Sequence, residues 1–153
     1  MIADLRFSEK QQILWDVLHN DKHELILSGG SSGGGKSFTA CVWLITSCLA
    51  YEDVRYVLGR KTLKSLKEST LNTLLGLLNK WKISYNYNQI DLTITFNNKS
   101  KIILKELDRY PSDPNYERFG SSEYTGAFVD EVSEIEDRAI EVLRARLRWK
   151  NSE

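Results

Sequence analysis

Two periods of apolar residues divide the chain. Ile13, Leu14, Val17 and Leu18 recur at helical spacing. They follow Ser8-Glu9-Lys10-Gln11, a capping box with Ser8 as N-cap and Gln11 three residues on. The first helix is therefore expected to end near Asn20-Asp21. Glu24-Leu25-Ile26-Leu27-Ser28 is a short apolar run bounded by a turn, the mark of a buried strand. Residues 37–51 have the length and apolar density of a packed helix. Arg55-Tyr56-Val57-Leu58 reads as a second strand, closed by Gly59. Thr62 can cap a long helix to about Lys80, with Leu63, Leu66, Leu71, Leu74, Leu75 and Leu78 on its apolar side. From Asp91 to Phe96 the period drops to two, with Leu92, Ile94 and Phe96 on one face. Asn97-Asn98-Lys99-Ser100 supplies a turn and Lys101-Ile102-Ile103-Leu104 a partner strand, which predicts a β-hairpin at residues 91–107. Residues 108–125 hold both prolines, Pro111 and Pro114, and read as a loop. Gly126 to Val129 is a small apolar strand, and a helix is expected from about Ile135 to Trp149 with Ile140, Leu143 and Leu147 inward. Such an order predicts an α/β fold: a mostly parallel sheet with helices on both faces and the hairpin at or near one edge.

Composition changes this picture little. A chain of 153 residues, 41% hydrophobic and 27% charged, is one globular domain with a single sizeable core. Lys+Arg and Asp+Glu are 21 each, so net charge gives no pointer to nucleic acid. Cys41 and Cys48 fall on one face of the helix at 37–51, where two buried thiols in a reducing compartment are the expectation. The apolar run from Ala40 to Ala50 is too short to span a bilayer. Met1–Lys10 carries Asp4, Arg6, Glu9 and Lys10, unlike a signal peptide. A cytoplasmic protein without a membrane segment is expected.

Chemistry enters between the first strand and the second helix. Gly30-Ser31-Ser32-Gly33-Gly34-Gly35-Lys36-Ser37 fits G-x-x-x-x-G-K-[ST], the phosphate-binding loop of P-loop NTPases. Glycines let the backbone approach a ligand closely, so consecutive N–H groups can point at phosphate oxygens. The positive end of the following helix, which opens with Phe38 behind Ser37, adds to this. Lys36 would reach the β- and γ-phosphates of ATP, and the Ser37 hydroxyl would ligate Mg²⁺. A flexible Gly/Ser linker is the competing reading, but a linker need not lie between a strand and a helix.

The second signature is Gly126-Ala127-Phe128-Val129-Asp130-Glu131, a small apolar strand ending in two acids, which matches a Walker B element. Asp130 would hold Mg²⁺, usually through water, and Glu131 would orient and deprotonate an attacking water. Gln11 has two open roles, N3 partner of Ser8 or reader of an adenine edge. Lys61, Lys64 and Lys67 read as a solvated face, as do Arg144, Arg146 and Arg148.

Taken together these segments resemble the large terminase subunit of tailed bacteriophages. The resemblance rests on Phe7-Ser8-Glu9-Lys10-Gln11, the glycine-rich loop, Gly59-Arg60-Lys61-Thr62, the run from Phe119 to Glu131 and Arg146-Leu147-Arg148. It implies a P-loop NTPase core of the additional-strand, catalytic-glutamate type, and a motor that uses ATP and Mg²⁺ to package double-stranded DNA into a procapsid. Gln11 then becomes the adenine-recognition residue. Partners implied are double-stranded DNA, a portal protein, a small terminase subunit and other copies in a ring, in the host cell cytoplasm. Many terminases carry an arginine in the loop where Ser31, Ser32, Gly33 and Gly34 stand here. Arg60, or an arginine from a neighbouring subunit, is the candidate replacement. The family's coupling strand and nuclease domain find no counterpart in residues 1–153, which implies a truncated ATPase domain with weak turnover and no nuclease activity. Other readings are a helicase-like motor, a small-molecule kinase, which would want a single acid after the strand, and a nucleotide-binding module that does not hydrolyse.

Overall fold

The computed structural model describes residues 5–20 and 35–149. There the chain runs α1 (Glu9–Leu18), α2 (Lys36–Ala50), β1 (Arg55–Arg60), α3 (Leu63–Glu68) and α4 (Thr70–Lys80). It continues through β2 (Tyr85–Asn88), β3 (Thr93–Phe96), β4 (Lys101–Glu106), β5 (Gly126–Val129) and α5 (Asp137–Ala145). The strand expected at Glu24–Ser28 and the loop residues Gly30, Ser31, Ser32, Gly33 and Gly34 lie outside the described residues.

Strands are ordered β2-β3-β4-β1-β5. β1 pairs in parallel with both β4 and β5, while β3 is antiparallel to β4 and to β2. Four of the five described strands thus point one way and β3 alone among them opposes, as a hairpin placed beside a parallel sheet requires. Tyr56, Val57, Leu58 and Gly59 of β1 are all buried, because a central parallel strand is covered on both faces. On one face Tyr56, Leu58, Ile94, Phe96, Ile102 and Leu104 pack with α2 and α4. On the other, Val57 and Leu107 pack with Tyr116, Phe119, Tyr124 and Leu143. The proline-containing loop after β4 is therefore a lid on a second core, with Asp113 accepting from the backbone N–H groups of Glu117 (2.7 Å) and Arg118 (3.2 Å).

Three elements depart from the sequence expectation. The single helix expected from Thr62 to Lys80 is two. Thr62 does cap α3, accepting from the Ser65 N–H at 3.2 Å. At Ser69 the backbone leaves the helix (φ −125°, ψ −85°). Ser and Thr hydroxyls compete with the helical ladder, and here Ser69 Oγ donates to the Ser65 carbonyl at 2.7 Å. The leucine stripe still buries on both sides of the break, with Leu66, Leu71, Leu74 and Leu78 all in the core. Second, the helix expected over 135–149 covers only Asp137–Ala145, after a 3-10 turn at Val132–Glu134. The residues beyond it bond elsewhere: Tyr124 N–H donates to Arg146 O (2.8 Å) and Trp149 N–H to Tyr124 O (3.0 Å). Trp149 also donates from Nε1 to Asp53 O, and the Arg55 guanidinium stacks 3.6 Å from its ring centroid. Third, β2 was not expected. In α1 the side chains of Leu14, Val17 and Leu18 are half-buried, but Ile13 is 60% exposed.

Cys41 and Cys48 are free, buried thiols of α2. Burial pushes both up from 9.0 to about 12, and the Asp130 carboxylate adds to the effect at Cys41. Unfolding restores the lower value, so between pH 9 and pH 12 the folded chain holds thiol protons that the unfolded chain has lost. Their contribution to stability is complete below pH 9 and declines above it, by at most about 1.4 kcal/mol per pH unit for each thiol. Urea midpoints measured in steps from neutral pH upward should hold steady and then fall, with roughly half the thiol-dependent fall lost in Cys48→Ala. An identical fall in that variant would assign the effect to other groups.

Candidate functional site

The carboxyl ends of β1 and β5 meet where an open α/β sheet presents ligands. The β1–β5 ladder runs one residue past β5, with Asp130 N–H donating to Gly59 O at 2.9 Å. Asp130 is thereby held beside the start of α2. Ser37 Oγ donates to its carboxylate, 3.2 Å from Oδ1 and 3.1 Å from Oδ2, across 93 residues of sequence. The structure thus brings together the end of the glycine loop and the acid of the second signature. Glu131 N–H donates to Asp130 Oδ1 at 3.1 Å.

Gly35 is the N-cap of α2 in the left-handed region, φ +70° and ψ 13°, and brings no side chain of its own to cap the helix. Its carbonyl accepts three bonds, from Thr39 N–H and Oγ1 at 2.9 Å each and from Gln11 Nε2 at 3.3 Å. A Cβ at Gly35 would lie 2.3 Å from Gln11 Nε2, so the conformation and the close approach both favour glycine here. Gln11 also completes the capping box, its Oε1 accepting from Ser8 N–H at 2.9 Å. Both ends of its amide are thus used within the protein. Lys36 opens α2 half-buried, and Phe38 packs its ring against the core under α2 and α4.

Glu131 stands exposed just past β5 with φ 52°, uncommon for a residue with a Cβ. Its carbonyl accepts from Glu134 N–H at 3.0 Å, fixing the turn. Arg60 ends β1 half-buried, and its Nη1 donates to Ser65 O (3.4 Å) and to Ser69 Oγ. Two hydroxyls separate it from Asp130, because Ser69 Oγ lies 3.5 Å from Thr70 Oγ1, which donates to Asp130 Oδ2 at 2.5 Å. Thr70 and Ser69 were missed by sequence reasoning. The one available signal was a Ser-Thr pair inside a leucine-rich helical stretch, where such residues are poor helix formers.

The site's donors suit a hard cation. Ser37 and Asp130 offer a hydroxyl and a carboxylate, the oxygen set Mg²⁺ takes together with water and substrate phosphates. Among the described residues no group of three or more His, Cys, Asp or Glu could hold a metal by itself. A groove of about 450 Å³ lies elsewhere, lined by Arg55, Asn86, Lys101 and Glu123 among others and by none of the residues above. Among the described residues no helix is long and apolar enough to cross a membrane.

A family model described as phage terminase large subunit matches residues 22–153. No curated protein matches the sequence. Solved structures similar to the chain include the large terminase from a thermophilic bacteriophage, with a TM-score of 0.79 at 18% identity over 95% of this chain and 37% of that one. The same terminase in complex with ATP-gamma-S gives 0.76 at 18% identity, over 95% and 36% of the two chains. In complex with ADP it gives 0.74 at 20%, over 94% and 37%. Likeness at these identities shows the fold. The chain spans little more than a third of the length of the solved terminase chains it matches.

Proposed function

The chain belongs to the phage terminase large subunit family, and from that premise we propose that it forms the ATP-binding and ATP-hydrolysing part of a motor driving double-stranded DNA into procapsids. The observation that carries this reading is the Ser37–Asp130 bond, which joins the two signatures at the ligand end of the sheet. That the similar terminase of the thermophilic phage was solved with ADP and with ATP-gamma-S supports a nucleotide at this place.

In this reading the backbone N–H groups of Gly30, Ser31, Ser32, Gly33, Gly34, Gly35 and Phe38 cradle phosphate, and Lys36 meets the β- and γ-oxygens. Gln11 faces the adenine. Ser37 and Asp130 hold Mg²⁺, which when bound offsets charge on the phosphate oxygens. Glu131 takes a proton from water as its oxygen attacks the γ-phosphorus and the bond to ADP breaks. Arg60 supplies a second cation at the same sheet end. Double-stranded DNA, a portal protein, a small terminase subunit and further copies of the chain in a ring are the proposed partners, in the host cytoplasm. The match to a terminase family model favours this reading over a small-molecule kinase.

Equilibrium titration with a fluorescent ATP analogue and Mg²⁺ tests the reading directly. Lys36→Ala is expected to weaken binding by about tenfold to a hundredfold, the worth of charge-assisted hydrogen bonds. Equal affinity in parent and variant would remove the nucleotide from this site.

A further inference from the structure

The Asp130 carboxylate has one described partner that neither signature supplies. Thr70 opens α4 with 1% of its surface exposed, and its hydroxyl lies 2.5 Å from Asp130 Oδ2. It can face Asp130 because the helix breaks at Ser69, and that break is itself tied down. Ser69 Oγ donates to Ser65 O, and Arg60 Nη1 donates to both Ser65 O and Ser69 Oγ. Thr70 is packed from behind as well, with Cys41 Sγ 3.7 Å from its carbonyl oxygen. Asp130 Oδ1 is meanwhile taken by Glu131 N–H. The carboxylate is therefore gripped at both oxygens by groups that do not belong to the glycine loop, with Ser37 Oγ bridging the two.

We propose that Thr70 is a positioning residue: its hydroxyl fixes the rotation of the Asp130 carboxylate so that the oxygens facing Ser37 are set for the divalent cation that accompanies the nucleotide. This rests on the reading of Ser37 and Asp130 as the cation's ligands. A ligating carboxylate is commonly oriented by an outer hydrogen bond, and loss of such a partner costs about 10- to 100-fold in metal affinity. Without the Thr70 hydroxyl, Oδ2 loses its closest donor, and only Glu131 N–H and Ser37 Oγ are left to hold the group against turning about Cβ–Cγ.

Thr70→Val keeps shape and removes the donor; Thr70→Ser keeps the donor and removes a methyl group. Binding of Mn²⁺ to the chain saturated with ADP, read from the Mn²⁺ paramagnetic resonance signal, and binding of ADP in chelator are measured for each. Thr70→Val should bind ADP in chelator as the parent does and lose about tenfold or more in Mn²⁺ affinity, with Thr70→Ser close to the parent. Unchanged Mn²⁺ affinity in Thr70→Val, or a loss in Thr70→Ser as large as in Thr70→Val, overturns the proposal. Should Thr70→Val not fold, Thr70→Cys, whose thiol is a weak donor, must show the same loss, and its absence overturns the proposal equally. Asp130→Asn separates the two readings. A loss there without one in Thr70→Val sinks only the role of Thr70, whereas no loss in Asp130→Asn sinks the cation site itself.

Discussion

Glu131→Gln is expected to slow single-turnover ATP hydrolysis by about two to four powers of ten, the usual worth of a positioned general base, while nucleotide affinity holds. The backbone at this residue is committed on both sides, N–H to Asp130 and carbonyl to Glu134 N–H. Its side chain is exposed beyond the end of β5. An amide of the same shape therefore leaves the turn and the Asp130 network in place and removes only the capacity to take a proton. Quenched-flow phosphate release beside equilibrium nucleotide binding separates the two effects. Release at the parent rate would take Glu131 out of the chemistry, and loss of binding in step with rate would make its role structural.

The second large effect concerns stability. Leu58 is fully buried at the middle of β1, with Leu104 of β4 and Phe128 of β5 as its register partners. Leu58→Ala should cost about 2–5 kcal/mol, because rigid strands on both sides prevent the space from closing. Against a usual total of about 5–15 kcal/mol, that is a large share. Urea unfolding gives the value, with Ile13→Ala, at an exposed position, as a control expected near zero. A loss below about 1 kcal/mol, the scale of a surface change, would mean that β1 is not an interior strand packed between β4 and β5. Binding should weaken together with stability, since Asp130 is held through the carbonyl of Gly59, the next residue of the same strand.

Why the site was partly legible follows from the kind of signal each residue leaves. Ser37 and Asp130 sit in fixed sequence patterns whose chemistry demands their types, and the structure places them in contact. Arg60 is a candidate from its position after a strand, but position says nothing of partners, and its guanidinium is held by Ser65 and Ser69. Thr70 left only the faint signal of a Ser-Thr pair: the leucine period carries on through Ser69-Thr70, and periodicity records burial, not the competition of hydroxyls for backbone partners. β2 was hidden for a similar reason. Tyr85-Asn86-Tyr87-Asn88 alternates half-buried and exposed, yet asparagine is depleted in strands. An edge strand that is short and polar on one face is what a sheet needs at its border, and that makes it hard to see. The parallel core was easier, because strands buried on both faces read as continuous apolar runs.

Where Gln11 faces the adenine, as proposed, its doubly anchored amide has a bearing on selectivity. Rotating it by half a turn would set oxygen against the Gly35 carbonyl and nitrogen against the Ser8 N–H, so its two ends cannot be exchanged. One lone pair on Oε1 and one N–H on Nε2 remain. A purine that uses both must bring a donor to the first and an acceptor to the second. The N6 and N7 edge of adenine does so, whereas guanine, with acceptors at both O6 and N7, sets oxygen against oxygen. The rotamer entropy of the side chain has been spent in folding α1, so little of it is left to lose when a base arrives. In the proposed reading, the capping box of α1 thus also determines which purine that amide can read.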